Sequence, residues 1–251
     1  MKGINKKTAL ITGGASGLGK AIAERLKEEG AIVVIADLNE EAGKQLASTL
    51  GGYFVKTNVT EPSSVELAVA YTVEQTGSLD IFVNNAGIDG LQAITHESSL
   101  ENWNKVIDIN LNGAFYGLKY ALAQFVKQGK GGAIINMVST AGIVGFANIP
   151  PYTAAKAGLV NLTRSTAVEY GKYFIRINAV APTTVLTPLV QHFIDSAADP
   201  KAMKERMETM NPIPGMPKVE DIAAAVAFLA SDDASWISGV TLPVDGGYTA
   251  Q

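Results

Sequence analysis

The sequence predicts an α/β fold: a doubly wound, parallel seven-stranded sheet with helices on both faces. Short β-branched apolar runs alternate with helix-length amphipathic stretches along the chain. The first run opens directly into a glycine-rich turn and a helix. No linker rich in Pro, Gly or Ser interrupts the 251 residues, 47% of them hydrophobic, so residues 1–251 read as a single domain around one substantial core.

The elements follow in order. Thr8 to Thr12 is the first strand, and Ala21, Ile22 and Leu26 recur on one face of a helix over 17–29. Ile32 to Asp37 is an unbroken apolar run ending in an acid, followed by a helix over 40–50 that Gly51 closes. Tyr53 to Val59 is the third strand, before a helix over 62–76 that starts at Pro62 and ends at Gly77. Ile81 to Asn84, a long helix over 98–128 and Ile134 to Val138 continue the alternation, then a helix over 151–171 and Ile175 to Val180. Residues 183–217 break it, with several prolines and scattered apolar side chains, and read as a substrate lid. A helix over 219–230 and a strand from Val240 to Val244 complete the chain.

Composition excludes several function classes. The net charge is −4 with acids and bases interleaved, so no basic run marks a nucleic-acid or anionic-membrane surface. There is no Cys, which excludes disulfides and thiolate-bound zinc, and His96 and His192 lie too far apart for a short metal motif. The apolar run near the N-terminus is too short for a signal sequence and flows into the glycine turn, giving the expectation of a cytoplasmic protein.

Three positions carry chemistry. Tyr152 and Lys156 are four residues apart near a helix start, which puts a phenol and an ammonium on one face. Moving a phenol from its ordinary pKa three units toward neutrality takes about 4 kcal/mol, much of which a neighbouring cation can supply. Gly13, Ser16, Gly17, Leu18 and Gly19 form a turn between strand and helix, where a backbone without side chains approaches a pyrophosphate and a helix N-terminus offers free N–H groups. Asp37 closes the second strand about twenty residues on, placed to accept from adenosine ribose hydroxyls and to repel a 2′-phosphate. Neither the turn nor Leu38 and Asn39 supplies a cation for that phosphate, so NAD is expected over NADP.

In these segments the chain resembles the short-chain dehydrogenase/reductase family over nearly its whole length. Thr12 to Gly19 matches the family's Thr-Gly-x-x-x-Gly-x-Gly turn, Asn84-Asn85-Ala86-Gly87 its Asn-Asn-Ala-Gly segment, and Ser139, Tyr152 and Lys156 its catalytic order and spacing. The resemblance implies a Rossmann fold with Asn110, Ser139, Tyr152 and Lys156 as catalytic residues. Tyr152 would be the acid/base, and Lys156 would lower its pKa and bind nicotinamide ribose hydroxyls. Ser139 would orient the substrate oxygen, while Asn110 would hold a water that links Lys156 to solvent. It also implies cofactor contacts from Leu38, Asn58, Val59, Asn85, Ala86, Gly87, Tyr152, Pro182, Val185 and Thr187. Two departures stand out: Asn58 replaces the usual Asp, keeping an oxygen able to accept from an adenine amino group, and Thr183 replaces Gly after Pro182, beside the expected nicotinamide site.

The expected pocket is apolar, with Leu91, Ala141, Val144, Leu186 and Leu189 as principal walls and Gly90, Ile143, Phe146, Ile149, Val190 and Phe193 around them. Neither 141–151 nor 183–200 contains a Lys or Arg to pair with an anionic substrate, so a neutral, fairly hydrophobic secondary alcohol or ketone is expected. The competing readings are a 3-oxoacyl-acyl-carrier-protein reductase and a non-catalytic NAD-sensing protein; Asp37 and the intact catalytic set weigh against each in turn. The resemblance further implies a homotetramer. The C-terminal segment ending at Gln251 resembles those near which some family members bind a divalent cation, although one amide oxygen and a carboxylate make an incomplete shell.

Overall fold

The computed structural model describes residues 1–197 and 199–251, and for Pro188, Leu189, His192 and Phe193 the main chain alone. The expectations placed on the side chains of Leu189 and Phe193 therefore lie outside the described residues. Seven strands, β1 (Thr8–Thr12), β2 (Ile32–Asp37), β3 (Tyr53–Lys56), β4 (Ile81–Asn84), β5 (Gly132–Met137), β6 (Ile175–Pro182) and β7 (Thr241–Val244), form one sheet in the order β3-β2-β1-β4-β5-β6-β7. Every pairing is parallel.

Alternate residues of each strand feed two cores. Ile11, Val33, Ile35, Val83 and Ile135 pack on one face with Ile22 and Leu26 of α1 (Gly17–Glu28) and Ile222 and Val226 of α9 (Val219–Ala230). On the other face Leu10, Val34, Phe82 and Ile134 meet Val69 of α3 (Pro62–Thr76), Leu118 and Leu122 of α5 (Gly113–Gln128) and Leu159 of α6 (Pro150–Tyr170). Both faces are thus covered, as a parallel sheet requires. The strand order reverses between β1 and β4, and a crevice opens there at the carboxyl ends of the strands.

Three elements differ from the sequence expectation. β3 ends at Lys56 rather than Val59, because the Asn58 side chain turns the chain: its Oδ1 accepts from the N–H and hydroxyl of Thr60, and its own N–H donates to Ser64 Oγ. The single helix over 98–128 is α4 (Leu100–Ile107) and α5, joined by a π-helical turn at Asp108–Asn112. The excursion 183–217 is not a plain loop; it holds α7 (Pro188–Asp195) and α8 (Pro200–Glu208), the latter capped by Asp199, whose Oδ1 accepts from Ala202 N–H. The remaining helix, α2 (Glu40–Leu50), is capped by Asn39. No helix among the described residues is long and apolar enough to cross a membrane.

Candidate active site

A cleft of about 760 Å³ runs across the sheet at the point where the order reverses. One end is the β1–α1 turn. Gly13 and Gly17 take φ of +60° and +51°, and a Cβ at Gly19 would collide with the Gly13 carbonyl, so the turn requires glycine. Ser16 at the N-cap makes no side-chain capping bond and the first turn of α1 carries no acid, which leaves its N–H groups to the cleft. Thr12 and Asn85 staple this turn to the end of β4: Thr12 Oγ1 accepts from the N–H groups of Asn85 and Ala86 at 3.0 and 3.2 Å, and Asn85 Nδ2 donates to the carbonyls of Thr12 and Gly13, both at 3.0 Å. Asn85 therefore spends its amide N–H groups on the turn.

Asp37 stands at the β2 end of the cleft and plays two parts. Its Oδ2 accepts from Ala15 N–H at 3.0 Å and its Oδ1 from Asn39 N–H at 2.9 Å, which joins the glycine turn to the start of α2. It also lines the cleft with Leu38, Asn58 and Val59. The Asn58 oxygen, expected to face an adenine amino group, already accepts two hydrogen bonds from Thr60.

At the other end of the cleft stand Asn110, Tyr152 and Lys156. Pro150 and Pro151 open α6 where a helix needs no N–H donors, and Tyr152 and Lys156 follow on its first turns. A buried chain of amides holds that helix against the sheet. Asn84 Nδ2 donates to the Ala114 carbonyl and to Asn136 Oδ1, and Asn136 Nδ2 donates to Thr163 Oγ1 on α6. Ser139 caps a short 3-10 turn at Thr140–Gly142, its Oγ accepting from Ala141 N–H at 3.2 Å. Gly142 lets this turn lie on α6, since a Cβ there would come within 2.8 Å of the Lys156 carbonyl group.

Lys156 and Asn110 each hold backbone groups at this end. Lys156, 4% exposed, donates its Nζ to the Met137 carbonyl at 2.9 Å and lies 5.5 Å from the Tyr152 ring centroid. The Tyr152 phenol is pushed up to about 12, first by burial and then by the charge of Asp89, while the Ser139 hydroxyl draws it down. Burial is the largest influence on its acidity here. Burial likewise pushes Lys156 down to about 8, against the opposing pull of Asp89. Asn110 binds both backbone groups of one residue: Oδ1 accepts from Ile88 N–H at 2.9 Å and Nδ2 donates to the Ile88 carbonyl at 2.7 Å.

Of the other expected residues, Ala86, Gly87 and Thr187 line the cleft. Pro182 pairs with Val244 in the sheet, and Val185 is buried in the core under α1 and α9. Around the catalytic end Leu91 is 72% exposed, Val144 and Leu186 are partly exposed, and Ala141 is buried. The Ala93 N–H donates to the Asn148 carbonyl and the Phe146 ring stands 5.6 Å from that of Tyr248, so the loops after β4, β5 and β7 meet here. Sequence reasoning missed Thr57, Ile88, Asp89, Ile109, Met137 and Val138 on the cleft walls. Asp89, two residues past the Asn-Asn-Ala-Gly segment, was the most legible of them.

The family model described as enoyl-(acyl carrier protein) reductase matches residues 13–249. Cyclohexanol dehydrogenase of Acinetobacter sp. (strain SE19) is 41% identical over 98% of this chain and 96% of that protein. Cis-4-hydroxycyclohexanecarboxylate dehydrogenase of Sinomonas cyclohexanicum is 44% identical over 98% and 97%. The crystal structure of carveol dehydrogenase from Mycobacterium avium in complex with NAD superposes with a TM-score of 0.93 at 31% identity, covering 100% of each chain. A glycine turn, a strand-end acid and a Ser-Tyr-Lys set around one crevice, in a chain with these relatives over its full length, belong together: this protein is a member of the short-chain dehydrogenase/reductase family, an oxidoreductase of its secondary-alcohol dehydrogenase branch.

Proposed function

We propose that the protein interconverts a neutral, fairly hydrophobic cyclic secondary alcohol and its ketone with NAD(H). The observation that carries this reading is the single cleft joining the β1–α1 turn and Asp37 to Tyr152 and Lys156, with the Ser139 hydroxyl near enough to act on the Tyr152 phenol. The turn's N–H groups fit a pyrophosphate, and Asp37 fits a ribose diol and disfavours a 2′-phosphate. When bound, the nicotinamide supplies the hydride acceptor or donor.

The chain's own residues hold the substrate oxygen and its proton. Ser139 donates to that oxygen and fixes it beside Tyr152. A phenol held near pKa 12 is fully protonated at neutral pH, poised to give its proton to a ketone oxygen. In the oxidative direction Tyr152 takes the proton back, and Lys156 as an ammonium favours that phenolate. Asn110 keeps Ile88 in place beside them. The apolar rim of Leu91, Ile143, Val144 and Leu186 suits a ring lacking charge. The relatives' names, cyclohexanol dehydrogenase among them, support a six-membered carbocycle. The carrier-protein reading sits poorly with Asp37, which disfavours NADPH, and a pure NAD sensor has no use for an intact Ser139-Tyr152-Lys156 set.

The test is a panel monitored by NADH absorbance: cyclohexanol, its ketone, an acyl thioester and a hydroxy acid, each with NAD(H) and NADP(H). Turnover of the neutral alcohol with NAD is expected. Preference for the thioester with NADPH, or tight NAD binding with no turnover, overturns the reading. Assembly as a homotetramer through the exposed Trp103 and Phe115 of α4 and α5 and Val168 of α6 is part of the same proposal, as is a cytoplasmic location. Light scattering after size exclusion checks the assembly.

A further inference from the structure

Asp89 lines the cleft with Tyr152, Lys156 and Asn110, and proton transfer as described above leaves its carboxylate unused. The backbone that carries it is held on both sides. Asn110 grips the N–H and carbonyl of Ile88, and Asn102 grips those of Leu91, accepting at 2.8 Å and donating at 3.1 Å. Both asparagines are buried, at 1% and 6% exposure, and both come from the one helical run, 100–112. Between them Gly90 turns with φ +76°, and a Cβ there would collide with Val106 and come within 2.9 Å of Asn102 Oδ1. Asp89 and Gly90 thus form a two-residue arch between clamped neighbours, so the exposed Asp89 side chain starts from a fixed backbone.

Among the described residues this carboxylate takes part in no ion pair. Its charge reaches both catalytic side chains. An ionised carboxylate only accepts, through about four lone-pair positions. In a cleft whose substrate rim is apolar, it matches a hydroxyl on the substrate apart from the one being oxidised, and it repels a substrate carboxylate.

We propose that Asp89 is a specificity-determining residue, selecting a neutral cyclic diol or hydroxyketone by accepting from the second hydroxyl and excluding anionic ring alcohols. This rests on the secondary-alcohol reading of the same site and names its substrate class more closely. The experiment measures kcat/KM with NAD for cyclohexanol, cyclohexane-1,2-diol, cyclohexane-1,4-diol and 4-hydroxycyclohexanecarboxylate, in the wild type, Asp89→Ala, Asp89→Asn and Asp89→Glu. Ratios to cyclohexanol cancel any common effect on Tyr152 or on folding. For at least one diol the ratio falls tenfold or more in Asp89→Ala and stays within about threefold in Asp89→Glu. The carboxylate ratio moves the other way, rising at least fivefold in Asp89→Asn.

Ratios that do not move while cyclohexanol is oxidised overturn the role of Asp89 and leave the secondary-alcohol reading standing. An effect confined to KM for NAD makes Asp89 a cofactor ligand and overturns it too. A wild type that oxidises none of the four alcohols removes the secondary-alcohol reading first and the Asp89 role with it.

Discussion

At the scale of single residues, the site turns on two groups whose protonation is set by burial. Lys156 titrates near 8 in the folded protein against about 10.5 when unfolded. Below pH 8 both states carry the charge, and between these values the unfolded chain binds the extra proton, so stability rises with pH across that window. The difference corresponds to about 3 kcal/mol. Tyr152 works in the opposite sense further up: its phenol ionises near 10 when unfolded and near 12 when folded, so stability falls as pH rises through that range. Urea unfolding of the wild type and Lys156→Met from pH 7 to pH 10.5 should therefore show the wild type gaining on the variant as pH rises, and a constant difference would refute the burial of a charged Lys156. Tyr152→Phe should lower kcat by roughly 10² to 10⁴ for the loss of acid/base catalysis, with NAD affinity retained. Stopped assays alongside NAD titration by fluorescence separate the two.

At the scale of elements, the sequence located the strands well and the interruptions poorly. The alternation of apolar runs marks all seven strands because a parallel sheet buried on both faces leaves a contiguous apolar signature. The π-helical turn at Asp108–Asn112 left no such mark, since one extra residue in a helical turn hardly alters a 3.6-residue pattern. Asn110 was legible as a site residue from its motif, yet its grip on Ile88 was not, because the partner lies 22 positions away. The same holds for Thr183. Its β-branched side chain stands out against the family pattern, but only the structure shows what it holds. Thr183 Oγ1 donates to Asn211 Oδ1 at 3.2 Å, and Asn211 Nδ2 donates to the Gly215 carbonyl. Both residues are buried, so this bond ties the end of β6 to the far end of the 183–217 excursion. Thr183→Val keeps the shape and strips the donor, which should cost about 1–3 kcal/mol because a buried acceptor loses its partner. Hydrogen exchange should quicken at the amides of Ile213 and Gly215, which are bonded to Gly246 and Glu208. Unchanged exchange there would mean the excursion is held by other contacts.

At the scale of the whole molecule, the nucleotide half of the cleft exists only when separate elements are assembled. The turn after β1, Asp37 from β2, Thr57 to Val59 after β3, Asn85 to Gly87 after β4 and Lys156 from α6 all line it, and in the unfolded chain they are dispersed over more than half the sequence. A ligand of such a site binds the native state alone and stabilises it by RT ln(1 + [L]/Kd), about 2.7 kcal/mol at a hundredfold excess over Kd. In a domain of this size each kcal/mol moves Tm by roughly 2–4 °C, so NAD at that excess should raise Tm by about 5–10 °C. NADP at the same concentration should raise it much less, because Asp37 meets its 2′-phosphate with like charge. Asp37→Ser bears on this directly. It removes the acceptors for Ala15 and Asn39, so the unliganded Tm falls, and each shift is read against the variant's own baseline. On that baseline the NAD shift should shrink and the NADP shift should grow toward it. Tyr152→Phe, measured alongside, should keep the full NAD shift while losing turnover, since its hydroxyl acts on the substrate oxygen and not on the pyrophosphate or adenosine. Equal NAD and NADP shifts in the wild type would remove Asp37 as the discriminating group and leave its hydrogen bonds to the turn as its whole role.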